Sequence, residues 1–449
     1  MSWRTRRAFL REACAELGAL SSVGALSSAL RAQEQAQEEQ QQEQEREPEV
    51  VLPSLPSFDR AMDEHMAPRA IPGGALAVLR EGRLVHLRGY GKLDREREAR
   101  VRATSLFRLA SLSKPITAIA VLRLVEAGKL ALDEPILRYV ALEPFLEVGA
   151  SEDPRWQRIS VRHCLQHSGG WDRGRSFDPM FRAVPFARLL GREAPASAHD
   201  VVRVMRGRAL DFDPGTRYAY SNFGYCLLGR AIESVIGTSY EEHVRTQVLL
   251  PLGARTMRIG RSLPTQRAAG EVRYHLPPGH AEKRVDSAFP AAGERVPAPD
   301  GGFHLEAMDA HGGWIASALD LARLLAALER PAEKPLLAEG SRRAMRERPA
   351  PPLGRDEQGV ESETYYGLGW MVRPQKQRPE RANLWHAGSL PGTSTLMVRR
   401  HDGLSWVALF NQRQESDELP DGAIDAALHR AANAVEAWPS EDLFERCAR

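Results

Sequence analysis

Cysteine is scarce in this chain: Cys14, Cys164, Cys226 and Cys447 are the only 4 in 449 residues. No pair has Cys-x-x-Cys spacing and no framework emerges, which argues against a zinc ribbon or a disulfide scaffold. Cys164 and Cys226 read as small buried apolar residues. Long apolar runs are missing too. No segment approaches the ~18 residues that span a bilayer, so no membrane span is expected in the mature chain. An excess of either charge is also absent, with 61 basic against 59 acidic residues. That balance gives no electrostatic footprint for nucleic acid. Nor is there a Gly-x-Ser-x-Gly stretch, which removes the strand-turn-helix nucleophile elbow of the α/β-hydrolases. No internal repeat is visible.

What the chain does contain begins with a signal. Thr5-Arg6-Arg7-Ala8-Phe9-Leu10-Arg11 and the small-residue apolar run Leu17 to Leu30 have the form of a twin-arginine export signal, with Ala29 and Ala32 as cleavage positions. Glu12 and Glu16 lie where such signals usually avoid acid, and an amphipathic helix is the competing reading. Residues 1–32 are therefore expected to direct export, placing the mature protein in the periplasm or beyond. Residues 33–54, almost all Gln and Glu up to Glu49, are too polar to bury a core and read as a disordered linker.

The folded domain is expected over 55–437, followed by a C-terminal tail, 438–449. Phe58 to Met66 has helical spacing. Gly73 to Gly91 reads as a hairpin turning at Arg80-Glu81-Gly82-Arg83. A helix of about four turns follows, ending near Gly128. Val201 to Met205, Leu227 to Val235, Ser317 to Leu328 and Ala423 to Val435 also read as helices. Strands are expected at Tyr366 to Val372, Ser394 to Val398 and Trp406 to Phe410. Strands at both ends and helices between them predict an α+β fold: an antiparallel sheet closed by the two chain ends, with an inserted helical region of about 130–310.

The start of the four-turn helix, "FRLASLSK", holds Ser111-x-x-Lys114. At i and i+3 the two side chains share a helix face, whereas Ser113 points away from Lys114. Serine attacks a carbonyl only with help from a base, and a desolvated lysine can supply it. Backbone N–H groups at the helix start could hold an oxyanion, and Pro115 is tolerated in a first turn. The bland alternative is a capped helix with a surface lysine. A second element, Tyr220-Ser221-Asn222, sits between a Pro-Gly turn and a helix. A tyrosine near a lysine can shuttle a proton and an Asn can hold a substrate amide. On spacing alone, a packing Tyr and an Asn helix cap serve equally well.

Taken in order, "FRLASLSK", "ISVRHCLQHSGG" (159–170), "FDPGTRYAYSNFGYCLLG" (212–229), "PLGARTM" (251–257), "HGGWIASALDLARLL" (311–325), "YGLGW" (366–370) and "WHAGSLPG" (385–392) resemble the serine β-lactamase-like hydrolases. That family includes class C β-lactamases, D-alanyl-D-alanine carboxypeptidases, D-aminopeptidases and related esterases. The resemblance covers about 57–435 and implies the β-lactamase/penicillin-binding-protein fold. It implies Ser111 as acylated nucleophile, Lys114 as its activating partner and Tyr220 as general base. Asn222 would position substrate, His386-Ala387-Gly388 would form a third motif on an edge strand, and the N–H groups of Ser111 and Ser389 would form the oxyanion hole. No cofactor or metal is implied. The partner is a small-molecule or peptide substrate, and oligomeric state is not legible.

His-x-Gly recurs at His167, His311, His386 and His401, so position rather than pattern selects His386, just before the last two strands. His167 reads as a loop cap, and His163-Cys164-x-x-His167 lacks further ligands for a metal. Typical β-lactamases carry lysine where His386 stands. Histidine, with a reference pKa of ~6.5, is only partly charged at neutral pH, which favours an esterase or D-amino-acid peptidase over a β-lactamase. Two readings compete with a serine hydrolase: a non-hydrolytic penicillin-binding or sensor protein of the same fold, and a metallohydrolase. Selectivity is expected from the loops Trp171 to Arg192 and Leu263 to Ala310.

Overall fold

The computed structural model describes residues 55–447, except 97, 291–293, 331–334, 357 and 416–417. The expected export signal and linker lie outside the described residues.

Strands β1 (Gly73–Arg80) and β2 (Arg83–Gly91) form the expected hairpin. Glu81 and Gly82 both have positive φ, 52° and 75°, as the tight turn between right-twisted strands requires. Three short pairings follow in the middle of the chain. β3 (Phe107–Arg108) and β4 (Arg258–Ile259) flank β7 (Trp314–Ala316), while β5 (Arg284–Asp286) pairs with β6 (Arg295–Pro297). The last third supplies β8 (Tyr365–Tyr366), β9 (Met371–Gln375), β10 (Arg378–Leu390), β11 (Thr393–Arg399) and β12 (Leu404–Phe410). The main sheet runs β2-β1-β12-β11-β10-β9-β8. β1 pairs antiparallel with β12 from Gly74 opposite Phe410 to Arg80 opposite Leu404, so the two ends of the domain close one sheet.

Side chains alternate across a strand, and in β1 both faces are apolar. Leu76 and Val78 pack with Trp406, Ala408 and Phe410 under the helices Pro56–Met66 and Ala423–Asn433. Ala75, Ala77 and Leu79 join the larger core on the other face, beneath the helix Ala318–Glu329. Between β3 and β7 the chain builds the helices Val161–Leu165, Ala183–Leu189, Ala198–Arg206, Asn222–Ile236 and Tyr240–Val244. The inserted region is thus mostly helical, and it also carries β4, β5 and β6.

Two expectations are corrected. Tyr366 to Val372 is not one strand: the chain turns at 367–370, with Gly369 at φ 85°. A Cβ on Gly369 would lie 2.5 Å from the Ala118 Cβ, so that turn is pressed against the helix Ser113–Glu126. β10, moreover, is no edge strand along its whole length, because β9 pairs with it as far as Trp385. The segment read as a tail packs on the sheet as well. Leu443 is buried and its N–H donates to the Leu84 carbonyl at 2.9 Å. This contact covers part of the exposed margin of β2, a usual way to blunt a sheet edge. No helix of the described residues is long and apolar enough to cross a membrane.

Candidate active site

Ser111 sits in a 3₁₀ turn, Ala110–Leu112, that leads directly into the helix Ser113–Glu126. Ala110 has φ 48°, a left-handed conformation that costs energy for a residue with a Cβ. The turn is held by β11: Thr393 Oγ1 donates to the Arg108 carbonyl at 3.0 Å, and Thr395 Oγ1 to the Leu109 carbonyl at 2.9 Å. Ser113 faces inward, its Oγ accepting from the Trp314 N–H at 3.3 Å. Ser111 Oγ instead lies 3.1 Å from Lys114 Nζ.

Lys114 is fully buried, and its Nζ has three oxygen neighbours: Ser111 Oγ at 3.1 Å, Asn222 Oδ1 at 2.8 Å and the His311 carbonyl at 3.0 Å. Burial drives its pKa well below the ordinary lysine range, and Asp178 opposes the shift only in part. Tyr220 OH donates to Ser111 Oγ at 2.8 Å. Burial raises the phenol above its usual value, so it stays protonated at rest.

Ser221, not Asn222, caps the helix Asn222–Ile236: Ser221 Oγ accepts from the Gly224 N–H at 3.4 Å. That frees the Asn222 side chain. Its Nδ2 donates to Asp178 Oδ2 at 2.6 Å, which turns Oδ1 toward Lys114. The Tyr220 loop is pinned by His167. Its Nδ1 accepts from the Ser221 N–H at 3.2 Å, its carbonyl accepts from the Ala219 N–H at 2.8 Å, and its ring lies 4.3 Å from that of Tyr220. His167 adopts φ 57° and therefore caps this loop. His163 closes a capping box with Ser160.

His386, Gly388 and Ser389 lie on β10 beyond the reach of β9. There the outer side of the strand meets the Ser111 turn. A Cβ on Gly388 would sit 2.3 Å from the Leu109 carbonyl oxygen and 3.1 Å from the Ser111 nitrogen, so only glycine lets the two backbones approach this closely. Ser389 is exposed beside it. His386 differs from its expected role. Nδ1 lies 2.8 Å from its neighbour's carbonyl, Ala387 O, and Nε2 lies 2.9 Å from Tyr366 OH. Both ring nitrogens are taken, and burial together with nearby Lys114 lowers the pKa to about 3. The ring bridges β10 and Tyr366, and its lowered pKa disfavours the partly charged form anticipated from the sequence.

Sequence reasoning did not single out Asp178, Tyr366 or the His311 carbonyl as parts of this cluster. "HGGW" and "YGLGW" were visible as motifs, but nothing local signalled that their backbone and phenol would meet Lys114 and His386. Asp178 had no signal beyond its place in a long loop.

A family model described as Beta-lactamase matches residues 58–431. The chain is 29% identical over 401 residues to Esterase EstB of Burkholderia gladioli, covering 84% of this chain and 94% of that one. It is 25% identical over 361 residues to Penicillin-binding protein 4* of Bacillus subtilis (strain 168), covering 79% and 71%. Among solved structures, D-amino acid amidase from Ochrobactrum anthropi SV3, complexed with L-phenylalanine amide, superposes with a TM-score of 0.62. That match has 23% identity and covers 84% of this chain and 97% of the amidase, a likeness of fold.

Proposed function

Because the chain belongs to the beta-lactamase family of serine hydrolases, we propose that it cleaves an ester or amide through an acyl-enzyme on Ser111. The observation that carries this reading is the coordination of Lys114. A neutral amine has two N–H donors and one lone pair. Asn222 Oδ1 and the His311 carbonyl take the two donors, which leaves the lone pair for the Ser111 hydroxyl 3.1 Å away. With its ammonium form disfavoured by burial, Lys114 is suited to receive the serine proton.

Ser111 Oγ bonds to the carbonyl carbon as its proton moves to Lys114 Nζ, and charge collects on the carbonyl oxygen. The N–H of Ser111, among the first of its turn and so without an intrahelical acceptor, stabilises that oxygen together with the N–H of Ser389. Tyr220 OH gives its proton to the departing oxygen or nitrogen, and the carbonyl re-forms. The tyrosinate left behind is neutralised by the Lys114 ammonium, whose Nζ lies 4.8 Å from the ring centroid. In deacylation a water gives its proton to Tyr220 and attacks the ester carbon, and Ser111 Oγ leaves with the proton held on Lys114. Lys114 is thus the first base and Tyr220 the acid, a shift from the roles implied by resemblance alone.

An ester or amide outranks a β-lactam because His386 is neutral and both of its ring nitrogens are occupied, so β10 offers no cation to a lactam carboxylate. With the export signal expected over residues 1–32, the activity would belong outside the cytoplasm. A panel of short-chain nitrophenyl esters, D-amino-acid amides and a chromogenic cephalosporin tests the reading. Turnover of an ester or amide, abolished in Ser111→Ala, is expected. A cephalosporin hydrolysed far faster than every ester and amide would move the protein to the β-lactamases.

A further inference from the structure

Building on that reading, we propose that Arg173 is a specificity-determining residue that holds an anionic group, a carboxylate above all, on the leaving-group side of the substrate. Its guanidinium lies 4.9 Å from the Tyr220 ring centroid, beside the group that protonates the leaving atom. Arg173 is exposed while Tyr220 is half-buried, so the arginine marks the open side of that ring, opposite in character to the buried His167.

The loop around Arg173 is tied down at every neighbour. Trp171 is buried. The Asp172 N–H donates to Asp211 Oδ2 at 2.8 Å, and the Asp172 carboxylate pairs with Arg217 at 2.8 Å. Arg175 donates to the Asp211 carbonyl at 2.7 Å, and Ser176 Oγ to Asp211 Oδ2 at 2.9 Å. Among the described residues, none offers Arg173 a carboxylate within ion-pair distance. The nearby Asp178 is engaged by Asn222 Nδ2 and by the Met180 N–H. A pinned loop therefore presents a permanent charge without a protein counter-ion at the mouth of the site.

The floor of the site supplies no competing cation. His386 has both nitrogens bonded, and Lys114 spends its contacts on Ser111, Asn222 and His311. Guanidinium matches a carboxylate with a rigid fork of donors. A substrate whose departing alcohol or amine carries a carboxylate would bridge from Tyr220 OH to Arg173. Neutral leaving groups would forgo only that contact.

The test compares 4-acetoxybenzoate, whose leaving phenol bears a carboxylate, with its neutral methyl ester, in wild type, R173Q and R173K. Taking each variant's ratio to wild type cancels the intrinsic reactivity of the two esters. The expected result is a loss of about fivefold to tenfold in kcat/KM on 4-acetoxybenzoate in R173Q, carried by KM and eroded by salt. The methyl ester should change by less than about twofold, and R173K should recover part of the loss. Equal loss on both esters would mean that Arg173 acts through Tyr220 and would overturn the proposal, as would no loss on either. If wild type hydrolyses the methyl ester while R173Q behaves in one of those ways, only the Arg173 inference falls. If wild type hydrolyses neither ester and Ser111 takes no fluorophosphonate, the hydrolase reading falls with it.

Discussion

The floor of the site and its rim are built on opposite plans. On the floor, Lys114, Asn222 and His386 are buried, and their polar side-chain atoms have partners within 3.1 Å. At the rim, Arg173 is exposed and without an ion-pair partner among the described residues, and Tyr218, whose ring lies near those of His167 and Tyr366, is 45% exposed. Burial shifts proton affinities and fixes distances, which chemistry requires. Exposure leaves contacts unspent, which selection of a substrate requires. The contrast teaches that reaction type is to be read from the floor and substrate class from the rim.

The contrast breaks most visibly at Lys114. Lys114→Met keeps bulk without a base and should lower kcat by about a thousandfold or more on any ester, measured at saturating nitrophenyl ester. A loss of less than about tenfold would return the first-base role to Tyr220. Gly388→Ala should follow. Its Cβ would press on the Leu109 carbonyl and Thr395 Oγ1, each 2.3 Å away, and two backbones cannot both yield cheaply. Overpacking of this kind costs about 1–3 kcal/mol, visible as a lower midpoint in urea, together with a fall in kcat as the Ser111 turn shifts.

Acid should expose the floor as a whole. The folded-state pKa of His386 is lowered to about 3, and those of His167 and His311 are also lowered, in each case chiefly by burial. Below ~6.5 the unfolded chain binds protons that the folded chain refuses, so stability is full above that pH and is lost as pH falls from 6.5 toward 3. Each such histidine adds up to about 1.4 kcal/mol per pH unit. Urea titrations at pH 7 and pH 5 check this, and equal stability at both would show that the floor is open to water. The rim should answer least. Tyr218→Phe, at an exposed position, is expected to change stability by no more than about 0.5 kcal/mol in a urea titration.

The same division explains what could be read in advance. The hairpin at Glu81-Gly82, the helix after Ser111 and the pairing of the domain's two ends follow from local periodicity and turn chemistry, and Ser111, Lys114 and Tyr220 followed from motif order. The state of His386 did not, because it depends on Tyr366, twenty residues away across a turn, and on burial that no local pattern encodes. Asp178 was hidden for the same reason: its importance lies in orienting Asn222, 44 residues on. The 367–370 region looked like a continuous strand because its apolar alternation matched, whereas the close approach of Ala118 at Gly369 is a tertiary fact. The first half of β10, from Arg378, gave no strand signal because it is polar and largely exposed, with no core-facing alternation.

The central claim is that a covalent intermediate forms on Ser111, and intact-protein mass spectrometry with peptide mapping addresses it most directly. After exposure to a fluorophosphonate probe, wild type should gain one adduct, mapped to the peptide bearing Ser111, and folded Ser111→Ala should gain none. An unmodified wild type, or an equal adduct on Ser111→Ala, would contradict the account.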